Sequence, residues 1–204
     1  MPLKLSADEI DDLLFFTRTG DVEEFNKTKE EIFTREGLSG ESSVQELLLA
    51  TKDDETDTGI LHMAAANGHH SLLSDLCKGL SYPSPQNPVM LSILNAQNKS
   101  GNTALHWASL NGHLECVKIL LEQGSDPTIC NQKGHDAVYE AELNDQKEVV
   151  EWVLKEGGDG LEEGVGGDAE GEGEEIGDDA GEVKLEDEMA GVDLSGDKGK
   201  KADV

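Results

Sequence analysis

Histidine and cysteine are the residue types here that most readily do chemistry, as metal ligands, general acids and bases, or nucleophiles. The chain holds six His and three Cys among 204 residues. Their spacing offers neither a Cys-x-x-Cys nor a His-x-x-x-His pair, the arrangements that set two ligands on one metal. Adjacent His69–His70 falls at a turn and is weak evidence for zinc. Cys77, Cys116 and Cys130 are odd in number and lack a framework spacing. They read as small buried apolar residues in a reducing compartment. No Gly-x-x-x-x-Gly-Lys-Ser/Thr phosphate loop and no Gly-x-Ser-x-Gly nucleophile elbow is present. These residues suggest no catalytic, cofactor or metal site, so the chain reads as a binding protein and not an enzyme.

The elements that carry these residues recur. Leu105 and Val138 stand 33 residues apart, and the same offset relates Gly101 to Gly134, Ala108 to Ala141, Val117 to Val150, Leu121 to Leu154 and Gly124 to Gly157. Asn98 and Asn131 match too, each three residues before a Gly, where an Asn side chain closes a tight turn on nearby backbone. Thr103–Ala104–Leu105–His106–Trp107–Ala108 and Gly112–His113 have an earlier counterpart in Leu61–His62–Met63–Ala64–Ala65 and Gly68–His69. Gly-x-Thr-Pro-Leu-His-x-Ala-Ala followed by Gly-His is the mark of ankyrin repeats, and the chain resembles that family. The resemblance implies an all-α repeat: a solenoid of about four helix-turn-helix units with short β-hairpin turns. It also implies that His62 and His106 bond turn backbone and pin neighbouring hairpins.

The expected repeats cover residues 5–36, 56–80, 100–130 and 133–157, within one domain of residues 5–157. The first is degenerate. Ser6 and Glu9 form a capping-box pattern, and Ile10, Leu13, Leu14 and Thr17 make one helical face. Gly20–Asp21 then turns the chain into a second helix. Insertions are expected at 37–58, where Val44, Leu47 and Leu48 suit a short helix, and at 81–89. In the latter, Pro83, Pro85 and Pro88 oppose regular helix, leaving a disordered loop or a binding finger. Residues 158–204 hold 17 acidic residues, four Lys and 12 Gly. Such a segment buries too little apolar surface to offset its ordering entropy, which predicts a disordered acidic tail. Its Lys198, Lys200 and Lys201 are a short basic cluster, a weak nuclear signal.

The net charge of −28 opposes direct contact with nucleic acid and favours a basic partner. Met1–Pro2–Leu3–Lys4 runs straight into acidic residues, so no signal peptide is expected, and no apolar run is long enough to span a bilayer. The expected setting is cytoplasm and nucleus, with no membrane partner.

Within the ankyrin family the chain resembles one branch more closely. Leu61–His69, Gly101–Gly112, Lys133–Gly134–His135–Asp136–Ala137, the split array and the acidic tail are together similar to the fungal ankyrin-repeat chaperones dedicated to small-subunit ribosomal protein three. That resemblance implies ATP-independent holding of a basic client by a monomer, with a groove over the client's N-terminal helix. The position after Leu-His varies among ankyrin repeats and often faces the groove, which makes Met63, Trp107 and Glu140 candidate contacts, with Asn67, Leu110 and Asn111 beside them. Trp107 and Leu110 are i, i+3 neighbours on one helical face. For Trp107, packing between repeats is the competing reading. Asp54 and Asp57, in an acidic run before a hairpin, suit Lys or Arg of a client or form a solvated loop. A nuclear or cytoplasmic adaptor of a transcription or signalling factor is the alternative function.

Overall fold

The computed structural model describes residues 3–39, 42–80 and 88–156, all within one compact unit. The acidic segment 158–204 and residues 81–87 of the second insertion lie outside the described residues.

Ten helices form among the described residues: α1 Ala7–Thr19, α2 Val22–Glu36, α3 Ser42–Ala50, α4 Ile60–Ala66, α5 His70–Leu80, α6 Pro88–Leu94, α7 Ala104–Leu110, α8 Leu114–Glu122, α9 Ala137–Leu143 and α10 Lys147–Glu156. Local chemistry sets their ends. Ser6 and Glu9 complete the capping box of α1, and Gly20, at φ 75°, ends it in a left-handed turn. Asp21 caps α2 through Glu24 N–H at 3.1 Å. Arg35 near the end of α2 pairs with Glu9, and this bond chiefly holds the Glu9 carboxyl below its usual range.

Four helix pairs make the array: α1–α2, α4–α5, α7–α8 and α9–α10. The first helices stack in the order α1, α4, α7, α9, and the second helices α5, α8 and α10 follow one another. Small buried side chains (Ala64, Ala65, Ala104, Ala108, Ala141) let the first helices approach closely. Between the two rows lies a core of Leu13, Phe25, Ile32, Leu73, Leu105 and Leu120.

α3 fulfils the helix expected at Val44, Leu47 and Leu48, and it packs on α5 and α6. Gly79 of α5 makes room for it, since a Cβ there would sit 3.1 Å from Val44 Cγ2. At residues 88–89, the last two of the second expected insertion, the chain is helical: α6 begins there. Pro88 stands at its first position, where the missing N–H would have had no helical acceptor, and Met90, Ile93 and Leu94 are buried.

The hairpin turns are present, but they are too short for regular sheet. Among the described residues the single β-bridge joins Lys52 to Gly59. Asn98 Oδ1 accepts from the N–H groups of Ser100 and Asn102 at 3.0 and 2.9 Å. Asn131 Oδ1 accepts from those of Lys133 and His135 at 2.9 and 3.1 Å. Asp53 does the same work in the hairpin before α4, accepting from Glu55 and Thr56 N–H. Successive hairpins join through Lys99 N–H to Thr56 O and Gln132 N–H to Ser100 O, at 2.8 and 3.0 Å.

Cysteine burial corrects one expectation. Cys77 and Cys116 are buried, and burial chiefly pushes their thiols up to about 12 and about 11. Cys130 is exposed, because it sits on the loop before the Asn131 turn and not on a helix.

Candidate partner-binding face

Aligning each first helix on its closing turn (Gly20, Gly68, Gly112, Asp145) puts Phe15, Met63, Trp107 and Glu140 in one register, five residues earlier. Because α1, α4, α7 and α9 stack in that order, equal register makes these positions a column across the array. A second column, three residues further along each helix, holds Arg18, Ala66, Leu110 and Leu143.

Each carbonyl of the first column is capped from four residues onward. Thr19 Oγ1 donates to Phe15 O at 3.0 Å, Asn67 Nδ2 to Met63 O at 2.8 Å, Asn111 Nδ2 to Trp107 O at 3.1 Å, and Asn144 Nδ2 to Glu140 O at 2.8 Å. Asn111 Nδ2 reaches Ala66 O of the preceding repeat as well, at 3.0 Å. Asn67 and Asn111 are exposed, but their amide donors close helix ends, which leaves the side-chain oxygens for a partner.

Met63, Trp107 and Leu110 are half-buried and lie on adjacent α4 and α7. Met63 also packs on the core. Trp107 Nε1 is buried and has no acceptor among the described residues. Phe15 is 46% exposed, and the Arg18 guanidinium lies 5.9 Å from its ring centroid. Sequence reasoning missed Phe15. The signal was the match of Gly20 to Gly68, which carries the register back into the degenerate first repeat.

Glu140 is corrected as a contact residue. It is 7% exposed and its Oε1 accepts from Asn131 Nδ2 at 2.8 Å and from the His135 ring at 3.0 Å. Its longer polar side chain turns away from the column into the hairpin network, where donors satisfy it. Asp54 is exposed on the hairpin before α4, and its carbonyl accepts from Lys99 Nζ at 2.8 Å. Asp57, at φ 61°, lies 3.8 Å from Lys52 Nζ. The structure leaves both carboxylates on the hairpin and not in the helical column.

Four histidines bond the backbone of turns and helix ends. His62 Nδ1 accepts from Gly59 N–H at 3.2 Å, which assigns the proton to Nε2, 3.1 Å from both Ala96 O and Asn102 O. Burial chiefly drives its pKa down to about 4. His106 repeats the arrangement with Thr103 N–H and His135 O, and burial lowers its pKa too. His69 and His113 form a second series, donating from Nε2 to Arg18 O at 2.9 Å and Ala66 O at 3.1 Å. His69 thereby joins two repeats, in place of the weak zinc reading. Among the described residues no group of three His, Cys, Asp or Glu is placed to hold a metal ion. No helix among them is long and apolar enough to cross a membrane.

A family model for ankyrin repeats, in three copies, matches residues 37–129 and 61–162. Human transient receptor potential cation channel subfamily A member 1 is 30% identical over 113 residues, 54% of this chain and 9% of that protein. Human NAD-capped RNA hydrolase NUDT12 is 39% identical over 71 residues, 35% of this chain and 13% of that protein. The chain thus spans only about a tenth of these curated relatives. A crystal structure of the yeast ribosomal protein Rps3 in complex with its chaperone Yar1 matches very differently: 39% identity, TM-score 0.63, 75% of this chain and 95% of that one. The chain belongs to the ankyrin-repeat family and, within it, to the Yar1 type.

Proposed function

We propose that this protein is a dedicated chaperone of the small-subunit ribosomal protein corresponding to Rps3. It binds that basic client and keeps it soluble until assembly into the pre-ribosome, by binding alone, without nucleotide hydrolysis. The observation that carries this reading is the 39% identity over 95% of the matched chain in the Rps3–Yar1 structure. The channel and the hydrolase share far less, since the chain covers 9% and 13% of their lengths.

The chemistry supports the same reading. A free ribosomal protein is cationic, and a chain of net charge −28 attracts it over distance. The column of Phe15, Met63 and Trp107, with Leu110 beside it, gives the apolar surface that a client helix would cover. Asp54 and Asp57 supply charge on the neighbouring hairpin. We place the protein in cytoplasm and nucleus, acting as a monomer.

The test is a holding assay without ATP. Purified client is diluted from denaturant with or without an equimolar amount of this protein, and light scattering is followed. Suppressed aggregation and a one-to-one complex on gel filtration are expected. Aggregation at the unassisted rate would refute the chaperone reading and return the fold to a generic adaptor.

A further inference from the structure

α10 carries a charge pattern that its own repeat does not neutralise. In α8, Glu115 and Lys118 stand three residues apart and pair at 2.7 Å. Their counterparts 33 residues on are Glu148 and Glu151, so a second carboxylate stands in the lysine's place. Both are exposed, and like charges at i, i+3 repel and weaken a helix. Neither carboxylate has a salt bridge among the described residues. Together with Leu114, Trp152 and Lys155 they line a cleft of about 240 Å³ between α8 and α10. Glu148, Glu151, Trp152 and Lys155 fall at i, i+3, i+4 and i+7, a single face of α10, and Leu114 is the first residue of α8. Trp152 is half-buried and packs on the core, and the Lys118 ammonium lies 6.0 Å from its ring centroid. Lys118 is held by Glu115 and is not part of the cleft lining.

We propose that this cleft takes an arginine side chain of the client, a second contact on the row of second helices and apart from the apolar column of the first helices. The source of the arginine rests on the chaperone reading; the chemistry of the cleft does not. A guanidinium is planar, stacks on an indole face and donates from a rigid fork to carboxylates. The lining meets each of these needs: Trp152 for the plane, Leu114 for the aliphatic stem, Glu148 and Glu151 for the donors. An ammonium is a compact, strongly hydrated point charge and gains less from the ring. Lys155 is the one opposing charge in the lining, and its exposed side chain is outweighed by the two carboxylates. The repulsion within α10 is then relieved by a cation from the partner, where α8 supplies its own.

The test reads Trp152 directly. The chain has two tryptophans, hence two indole N–H signals in the NMR spectrum, which Trp107→Phe assigns. The peptide acetyl-Gly-Arg-Gly-amide should shift the Trp152 signal and leave that of Trp107 in place. Its citrulline counterpart, equal in shape but neutral, should shift neither. Glu151→Lys, which restores the Glu–Lys pattern of α8, should abolish the response with the melting temperature equal or higher. The same variant should weaken the client complex about fivefold, while Glu23→Lys on α2, an equal change of charge, should leave it unchanged. No shift at Trp152, an equal response to citrulline, or a response that survives Glu151→Lys would overturn the cleft as a guanidinium site. A peptide response with client affinity unaltered by Glu151→Lys would overturn the client as the source of the arginine. Failure of the unaltered chain to bind the client would refute the chaperone reading, and the peptide titration would still decide the cleft.

Discussion

His69 Nε2 donates to the carbonyl oxygen of Arg18 at 2.9 Å, and the imidazole lies so close to Gly20 that a Cβ there would meet it at 2.5 Å. His69 and Arg18 are 51 residues apart in sequence, and their bond ties the degenerate first repeat to the second. His113 holds the same place over Gly68, and Gln146 over Gly112, its amide donating to Leu110 O at 3.1 Å. Gly20 is required twice, for its positive φ and for its missing side chain.

Gly20→Ala should therefore destabilise the array by about 2 kcal/mol, from left-handed backbone cost plus displacement of the ring. His69→Ala should cost about 1 kcal/mol through the unpaired Arg18 carbonyl. His69→Gln should recover most of that, as Gln146 shows an amide can serve. Urea denaturation of the three variants checks the order; equal losses for Ala and Gln would mean that the ring matters only as bulk.

Much of this was legible in the sequence. The 33-residue offset is visible in the residues themselves, the Asn98 and Asn131 turns follow from backbone needs that few residue types meet, and the ankyrin resemblance implied the roles of His62 and His106. The second ladder was harder to see, because Gln146 shares a donor with His69 but not a residue type. Glu140 aligns with Met63 and Trp107, yet a carboxylate in reach of Asn131 and His135 is drawn to them instead of to the column. α6 was hidden by its own Pro88, which opposes helix in the interior and favours it at the first position.

Trp107 separates binding from folding. Trp107→Ala should weaken client affinity by at least tenfold, as for a central aromatic contact, with stability changed by about 1 kcal/mol or less. Trp107→Phe removes a buried N–H that has no acceptor among the described residues, so its stability should match or exceed the wild type. Calorimetric titration and thermal melts decide. A steep loss of melting temperature with unchanged affinity would make Trp107 a packing residue.

Glu140 should behave oppositely. Glu140→Leu leaves Asn131 and His135 donors unpaired in a buried network and should cost about 1–3 kcal/mol, with client affinity intact. Lost affinity at unchanged stability would restore Glu140 to the contact surface.

Acid should loosen the array through His62. Its folded pKa of about 4 lies below the usual 6.5, so between these values the unfolded chain binds a proton that the folded chain excludes. The stabilisation is complete above pH 6.5 and is lost as pH falls toward 4, by about 3 kcal/mol. His106 adds to the loss in the same direction. His62→Gln, which does not titrate, should show a shallower fall across this window in urea midpoints. An equal slope would assign the pH dependence to other groups.

Charge and apolar contact should divide the client complex by rate. Screening acts over about 10 Å at 0.1 M salt, so it reaches exposed carboxylates more than a covered apolar column. The association rate should fall steeply between low and moderate salt, while dissociation changes little. Asp54→Asn/Asp57→Asn should slow association and flatten its salt dependence. Asn tolerates the left-handed backbone of residue 57, so the double variant tests charge and not folding. Trp107→Ala should instead speed dissociation at every salt concentration. Stopped-flow fluorescence on a labelled client separates the two. If the hairpin variant changed only dissociation, Asp54 and Asp57 would be direct contacts in the bound complex, and the long-range attraction would have to come from other carboxylates.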